Sequence, residues 1–282
     1  MIKSIEITNY KRIKHLEVDG FKNINVIVGK SGACKTTLLE SIYFAKHDRF
    51  ILGYKTDEDM MSPSIKYYSN EPIKVKLLET NSDNEENRLE RIAESVLIAT
   101  DDLSNDDFCY FINDNMSNNI KQIILNKELY NTFMDLYEQI SKDAARMFIV
   151  GETVYVQLKY SDKCIPLSVM SKSFQKCVNI IAAVLLNKEI ILIDNIENDL
   201  FVEDMKQLIE IIVSYSDKIQ FFITTHNKEF LQLLDECLEK KKYNDILSVF
   251  DLYLNRENNI DQVRYEQSNF HHFMRNDNEI RY

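Results

Sequence analysis

The octapeptide Gly29-Lys30-Ser31-Gly32-Ala33-Cys34-Lys35-Thr36 lies between an apolar run at 24–28 and a helical pattern at 37–42. A strand, a glycine-containing loop, a Lys-Thr pair and a helix, in this order, are the layout of a phosphate-binding loop. In such a loop the backbone N–H groups surround the phosphates, and the positive end of the helix dipole adds to the attraction. The alternative is a chance match in a turn that contains glycine.

The residue types in this loop predict specific roles. The Lys35 ammonium would reach the β- and γ-phosphates, and the Thr36 hydroxyl would bind Mg²⁺. The predicted nucleotide-binding residues are the loop and the residue after it: Gly29, Lys30, Ser31, Gly32, Ala33, Cys34, Lys35, Thr36 and Thr37. Cys34 takes the place of the second glycine of the G-x-x-x-x-G-K-[ST] motif. A Cβ atom at this position is unfavourable if the loop needs a positive φ or a close approach of its backbone to the phosphates.

Composition limits the class of protein. The 282 residues, of which 45% are hydrophobic and 28% charged, are enough for one large domain or two small ones. A net charge of −11 argues against a wide nonspecific nucleic-acid surface. The five cysteines contain no C-x-x-C pair, and no apolar run is long enough to span a membrane. We therefore expect a cytoplasmic protein with no membrane partner, no zinc site and no disulfide framework.

Hydrophobic periodicity predicts a mixed α/β fold with a doubly wound sheet. Three short strands are predicted in the first 28 residues, at 5–10, 13–18 and 24–28. Two further aliphatic runs, 189–194 and 219–226, are typical of strands that are buried on both faces in a parallel sheet. Both runs end in polar residues, which predicts a site at the carboxyl edge of this sheet.

The middle of the chain is predicted to carry a hairpin and an insertion. The hairpin would pair strands at 72–78 and 95–99 around a solvated, acidic loop at 81–90. Apolar residues at three- and four-residue spacing then predict helices, which we assign to a helical subdomain at 101–147. This subdomain would be inserted into a single domain that spans 1–282.

Polar residues outside the loop predict the rest of the site. Asp194, which ends an aliphatic strand, would hold Mg²⁺ together with Thr36. His226, which ends the other strand, can donate a hydrogen bond to the γ-phosphate or to an attacking water. The turn at 171–173 offers hydroxyls, a helix N-cap and helix-start N–H groups to a phosphate. Lys11, one strand away from the loop, could contact nucleotide or could equally be an exposed strand end.

Taken together, these motifs resemble the ABC-type ATPase heads of the overcoming-lysogenization-defect group, AAA/ABC-like proteins related to the heads of SMC proteins. The resemblance covers nearly the full length of the chain. It rests on the loop and on five further segments: Ile7 to Lys11, Leu167 to Met170, Ile193 to Asn198, Thr224 to His226 and Asn278 to Arg281. It implies a P-loop NTPase fold with a mixed sheet. It also implies two heads that dimerise around two Mg-ATP, each held between the loop of one head and the signature turn of the other.

The departures from the family pattern concern hydrolysis more than binding. Ser171 and Ser173 replace glycines of the signature turn, and Cys34 replaces a glycine of the loop. Asn195 occupies the position of the glutamate that acts as the family's general base. An amide cannot take a proton from water, which removes a contribution of about 10²–10⁴ in rate. Glu197 could substitute for this base or could be a structural partner. The predicted catalytic positions are therefore Asn195, Glu197 and His226.

These features predict a head that binds Mg-ATP and dimerises, either as a homodimer or with another head, and hydrolyses ATP slowly or not at all by itself. The resemblance suggests a nucleotide-gated scaffold or sensor in an antiviral or DNA-related complex, with a separate effector such as a nuclease. Nucleic acid would be reached through that complex. One alternative is an active ATPase that drives a partner nuclease. Another is a small-molecule phosphotransferase, against which the Thr-Thr-His strand end and the lack of an Arg-rich lid argue.

Overall fold

The computed structural model describes residues 1–47, 73–80, 86–93, 109–112, 117–140, 144–160 and 162–275. The strands are β1 (Ile2–Tyr10), β2 (Ile13–Asp19), β3 (Ile24–Val28), β4 (Ile73–Thr80), β5 (Glu86–Ala93), β6 (Cys109–Phe111), β7 (Ala144–Val150), β8 (Thr153–Leu158), β9 (Cys164–Pro166), β10 (Ile190–Ile193), β11 (Gln220–Thr224), β12 (Leu247–Leu254) and β13 (Ile260–Glu266). The helices are α1 (Lys35–His47), α2 (Ser117–Leu125), α3 (Lys127–Ile140), α4 (Lys172–Leu185), α5 (Val202–Tyr215), α6 (Lys228–Lys241) and α7 (Gln267–Arg275). Among these described helices, none is long and apolar enough to cross a lipid bilayer.

The main sheet has the strand order β13-β12-β3-β11-β10-β6 over the described residues. The strands from β12 to β6 are parallel to their neighbours, and β13 pairs antiparallel with β12 at one edge. The carboxyl ends of β3, β10 and β11 therefore lie along the same edge. This arrangement confirms the predicted α/β fold with a mixed sheet, and it brings the phosphate-binding loop close to the residues that follow β10 and β11.

Both faces of the main sheet are covered, which explains its runs of consecutive aliphatic residues. Ile191 and Ile193 of β10 join a core with helices α2 to α7, whereas Ile190 and Leu192 join a core with α1 and the N-terminal strands. Alternate residues of a strand point to opposite faces, so all four must be apolar. The two predicted aliphatic strands are confirmed as β10 and β11.

A second sheet, with the order β2-β1-β4-β5, covers one side of this assembly. Its strands are antiparallel, and β4 pairs with β5 along its whole length, from Ile73 with Ala93 to Thr80 with Glu86. The first strand of the predicted hairpin is therefore confirmed, but its predicted pairing with 95–99 is wrong, because its partner in the sheet is β5. The end of the expected acidic loop at 81–90 belongs to β5, a charged edge strand without an aliphatic signature, and 95–99 lies outside the described residues.

Helices α2 and α3 follow β6, which is itself a strand of the main sheet. Both helices pack against α4, and their buried residues Ile120, Ile123, Phe133 and Tyr137 belong to the same core as that helix. The small antiparallel sheet β7-β8-β9 then leads into a 3-10 turn at Leu167–Val169 and into α4. The division of 101–147 as an inserted helical subdomain remains a prediction.

Candidate nucleotide site

The phosphate-binding loop, residues 29–36, runs from the end of β3 to the first turn of α1. Gly29 has φ +137°, and a Cβ atom there would lie 2.2 Å from the carbonyl oxygen of Leu252. Gly32 has φ +81°, in the region that favours glycine. The loop therefore uses glycine at two positions where a side chain would clash or strain the backbone.

Cys34 also has a positive φ, of +62°. The loop thus requires the conformation for which its usual glycine is suited, and the sequence-based concern about a Cβ atom at this position is correct. Cysteine in this left-handed region strains the backbone, at a cost of about 1–2 kcal/mol. Burial raises the pKa of the Cys34 thiol, while the positive charge of Arg12 acts in the opposite direction.

Lys35 begins α1, and its ammonium turns back into the loop. Nζ donates hydrogen bonds to the carbonyl oxygens of Gly29 at 2.8 Å and Lys30 at 3.2 Å, and it lies 3.3 Å from Nδ1 of His226. Lys35 is only 6% exposed. Burial lowers its pKa, and the negative charges of Asp194, Glu197 and Asp251 oppose this effect. The ammonium is thus held in the bend of the loop, where phosphate oxygens would bind.

Asp194, at the carboxyl end of β10, accepts hydrogen bonds from three side chains. Thr36 Oγ1 lies 3.1 and 2.9 Å from its two carboxylate oxygens, and Thr224 Oγ1 lies 2.5 Å from Oδ1. Asn195 Nδ2 donates to Oδ2 at 3.2 Å. Mg²⁺ prefers oxygen ligands, and in a phosphate-binding loop it is held by the Ser or Thr hydroxyl and a strand-end aspartate. The Thr36 hydroxyl and Asp194 carboxylate supply this donor pair and would hold the ion.

Glu197 and His226 meet at the end of β11. The Glu197 carboxylate accepts a hydrogen bond from Thr225 Oγ1 at 2.8 Å and another from the backbone N–H of His226 at 2.7 Å. Both of its oxygens therefore hold the strand end. Burial and the nearby Lys35 charge lower the pKa of His226, which favours the neutral form of its ring.

A cavity of about 440 Å³ opens above these groups. Its walls come from the loop, from the residues that end β10 and β11, and from the turn between β1 and β2. The lining residues are Arg12, Ser31, Gly32, Cys34, Lys35, Thr36, Thr37, Asn195 and His226.

Residues 1–248 match the family model described as the RecF/RecN/SMC N terminal domain. The chain belongs to the RecF/RecN/SMC N-terminal domain family. Its fold is that of an SMC-type ATPase head.

The chain is also similar to individual known proteins. The chain is 22% identical to a Helicobacter pylori protein described as an ATP/GTP phosphatase, over 99% of both chains. It is 30% identical to the DNA replication and repair protein RecF of Pediococcus pentosaceus, over 36% of this chain and 32% of RecF. The Smc head domain of Pyrococcus furiosus, solved with the C-terminal domain of ScpA, superposes with a TM-score of 0.56 at 13% identity and covers 98% of each chain.

The predicted signature turn, which contains Ser171 and Ser173, lies apart from the phosphate cavity of the same chain. Ser171 or Ser173 was expected to cap α4, and Ser171 is the N-cap: it accepts a hydrogen bond from the backbone N–H of Phe174 at 3.2 Å. Ser173 Oγ donates to Asp204 Oδ2 at 2.9 Å. Both serines line a different cavity, of about 480 Å³. The structure therefore does not bring them together with Lys35 in the described chain.

Lys11 is also absent from the residues that line the phosphate cavity. Its ammonium forms an ion pair with Glu40, and the neighbouring Arg12 lines the cavity instead. The Lys11-Arg12 pair predicted a cation near the loop. Which of these two side chains points to the loop depends on the shape of the turn.

Two further residues support this site, and neither was among the predicted site residues. Thr224 donates to Asp194 and accepts the backbone N–H of Asn195 at 2.7 Å. Lys176 of α4 donates to the carbonyl oxygens of Asn195 at 2.7 Å and Asn198 at 3.3 Å, and burial lowers its pKa. Together they fix the turn that carries Asn195 and Glu197.

Proposed function

We propose that this head binds Mg-ATP through its phosphate-binding loop and hydrolyses it slowly or not at all by itself. The observation that carries the proposal is that Lys35 and Thr36 of α1 line one cavity and that Asp194, directly after β10, accepts a hydrogen bond from Thr36. These groups supply a cation for the β- and γ-phosphates and oxygen ligands for Mg²⁺. The predicted roles of Gly29 to Thr37 in holding the nucleotide are part of this proposal.

The test is calorimetric titration of Mg-ATP into wild type and Lys35→Met, which keeps the length of the side chain and removes its charge. Hydrogen bonds to charged groups contribute about 1.5–3 kcal/mol, so we expect a loss of about 10- to 100-fold in affinity. Lys218→Met is the matched control, because Lys218 is exposed in the turn before β11, at the opposite edge of the sheet. Unchanged affinity for Mg-ATP in a folded Lys35→Met protein would contradict the proposed function.

Slow hydrolysis is supported by the groups around the strand ends. Asn195 stands where a carboxylate would be needed to take a proton from water. Glu197, the nearest candidate for a replacement, has both carboxylate oxygens engaged with Thr225 and His226. We propose that Glu197 acts as a structural partner and that His226 donates to the γ-phosphate.

We propose that two heads close around nucleotide, each supplying its signature turn to the other's cavity. The support is the position of Ser171 and Ser173, which lie at the N-terminus of α4 but away from the cavity of their own head. A helix N-terminus favours an anion, so a phosphate from a second head fits this place. Light scattering should show a monomer without nucleotide and a dimer with Mg-ATP. A monomer under both conditions, even at high protein concentration, would contradict the proposal that two heads close around nucleotide.

The wider role follows from the resemblance to the overcoming-lysogenization-defect group. We propose a cytoplasmic complex in antiviral defence or DNA repair, in which a separate chain, such as a nuclease, is the effector. The naming of RecF as a DNA replication and repair protein, and the solution of the Pyrococcus furiosus head with a ScpA domain, support a DNA-related complex. Co-purification with the product of an adjacent gene, in the presence and absence of Mg-ATP, tests this proposal.

A second candidate is an active nucleoside triphosphatase. The Helicobacter pylori relative described as an ATP/GTP phosphatase favours it, because the similarity extends over 99% of both chains. Phosphate release from ATP and GTP separates the two candidates, with Lys35→Met as the blank. Turnover near the usual enzyme range of about 1–10³ s⁻¹ by wild type alone would favour the triphosphatase.

A further inference from the structure

We propose that Glu40 is a positioning residue of the nucleotide site. By binding Lys11 it holds the tight turn between β1 and β2 in the shape that brings the Arg12 guanidinium to the phosphates. The inference rests on the proposed binding of ATP and assigns two residues to it, Arg12 as a phosphate contact and Glu40 as its support.

The turn has a shape that its sequence does not favour. Tyr10 at the end of β1 pairs with Ile13 at the start of β2, so Lys11 and Arg12 alone make the connection. Lys11 has φ +52°, and Asn9, two residues before it, has φ +58°. Asparagine tolerates the left-handed region, but lysine does not favour it. A glycine at position 11 would relieve this strain, so the lysine side chain must supply a compensating interaction.

That interaction is an ion pair between the partly exposed Lys11 ammonium, whose side chain is 26% exposed, and a buried carboxylate of helix α1. The Glu40 side chain is 1% exposed, and its Oε2 accepts from Lys11 Nζ at 2.5 Å and from the Tyr10 hydroxyl at 3.2 Å. Burial raises the pKa of Glu40, and the Lys11 charge opposes this effect. A buried carboxylate needs such a partner, because breaking a buried pair leaves an uncompensated charge. Lys11 and Glu40 therefore fix the turn against the same helix that begins with Lys35.

Arg12 is the residue that this fixed turn presents to the loop. It lines the cavity with Gly32 and Cys34, and its Nη1 would lie 3.6 Å from a Cβ atom placed on Gly32. Its positive charge also opposes the rise that burial causes in the pKa of the Cys34 thiol. A guanidinium offers donors in a planar fork that matches phosphate oxygens. Helix α1 thus places two cations at the cavity, Lys35 directly and Arg12 through Glu40 and Lys11.

A double-mutant cycle on Mg-ATP affinity tests the inference. We expect Arg12→Ala to weaken binding about 10-fold, as for the loss of one charge-assisted hydrogen bond. Glu40→Gln keeps the shape of the side chain but removes the charge that holds Lys11, and we expect a loss of about 3- to 10-fold. In the Arg12→Ala background, Glu40→Gln should cause no further loss, because it acts only through Arg12.

Two controls separate positioning from general stability. Glu79→Gln removes a different ion pair of α1, with Lys46, and should leave the affinity unchanged. The double variant Lys11→Gly with Glu40→Gln relieves the positive φ and removes the buried charge. It should melt no lower than wild type and yet bind Mg-ATP as weakly as Arg12→Ala.

Wild-type affinity in this variant, or additive losses in the cycle, would overturn the role of Glu40. Absence of ATP binding by wild type would instead overturn the proposed function together with this inference.

Discussion

Thr36 Oγ1 donates to the carboxylate of Asp194, at 2.9 Å from Oδ2 and 3.1 Å from Oδ1, although the two residues are 158 positions apart in the chain. Thr36 lies in the first turn of α1, and Asp194 follows β10. The fold therefore already places the two oxygen ligands, the Thr36 hydroxyl and the Asp194 carboxylate, side by side. A divalent cation here would be held by groups that need little rearrangement, which lowers the cost of binding it.

The first prediction is that Asp194 makes ATP binding depend on Mg²⁺. We expect Asp194→Asn to reduce affinity for Mg-ATP about 10-fold or more, because the neutral amide removes the charged ligand of the ion. Binding of ATP in EDTA should hardly change. Titrations with and without Mg²⁺ measure the difference, and Asp217→Asn in the exposed turn after α5 is the control. An equal loss in EDTA would mean that Asp194 serves the fold and does not hold the cation.

The second prediction concerns the backbone strain at Cys34, whose φ is +62°. Glycine removes a cost of about 1–2 kcal/mol in this conformation and adds about 0.4–1 kcal/mol of unfolded-chain entropy. We therefore expect Cys34→Gly to raise Tm by about 1–3 °C and to bind Mg-ATP more tightly. Cys34→Ala loses the thiol but keeps the backbone strain, so neither its Tm nor its affinity for Mg-ATP should rise. Weaker ATP binding by the glycine variant would show that the loop depends on the cysteine side chain.

The third prediction is a pH dependence of thiol chemistry at Cys34. Because burial raises the pKa of this thiol, the thiolate is scarcer at pH 8 than in a free cysteine. The thiolate is the reactive form, so alkylation by iodoacetamide should be slow at pH 8 and keep rising through pH 9. Mg-ATP should slow it further, because Cys34 lines the cavity. Peptide mass spectrometry measures both rates, with exposed Cys164 as internal reference. Equal rates with and without Mg-ATP would contradict the site.

Local order in the chain was enough to predict which residues come together in the proposed binding half of the site. Lys35 and Thr36 follow a strand and a glycine loop directly, so covalent geometry places them at the helix start. Asp194 ends a strand with four consecutive aliphatic residues, and such strands lie inside a parallel sheet whose carboxyl edge carries the site. These positions needed only periodicity and motif order, and the structure places them together.

Other features depend on contacts that leave no trace in a single sequence. The choice between Lys11 and Arg12 is made by a positive φ and by a buried glutamate on α1, 29 residues from Lys11. Lys176 binds carbonyl oxygens, which every residue possesses, so no sequence pattern marks its partners. Strand β5 carries a charged side chain at four of its eight positions and pairs through its backbone, which hydrophobic periodicity cannot detect.

The last prediction concerns Asn195, because it separates a slow head from an ordinary triphosphatase. The Asn195 backbone has φ +45°, and its side-chain amide donates to Asp194 Oδ2 at 3.2 Å. Asparagine tolerates this conformation better than glutamate does. A glutamate here would also place a second negative charge beside Asp194, so Asn195→Glu should melt lower than wild type in EDTA and recover with Mg²⁺.

With Mg²⁺ bound, the new carboxylate could accept a proton from the attacking water, which an amide cannot do. We expect Asn195→Glu to raise the steady-state rate of ATP hydrolysis by about 10²-fold, at the low end of general-base contributions. Asn195→Ala should change the rate little, since it removes no base. The rates are compared at equal dimer fraction, so that altered association does not appear as altered chemistry. If wild type hydrolyses ATP briskly and Asn195→Ala abolishes the activity, the slow-head proposal is wrong and Asn195 orients the attacking water. If Asn195→Glu binds ATP and dimerises but stays inert, the missing base is not what limits the rate, and Ser171 and Ser173 in the signature turn become the first positions to restore to glycine.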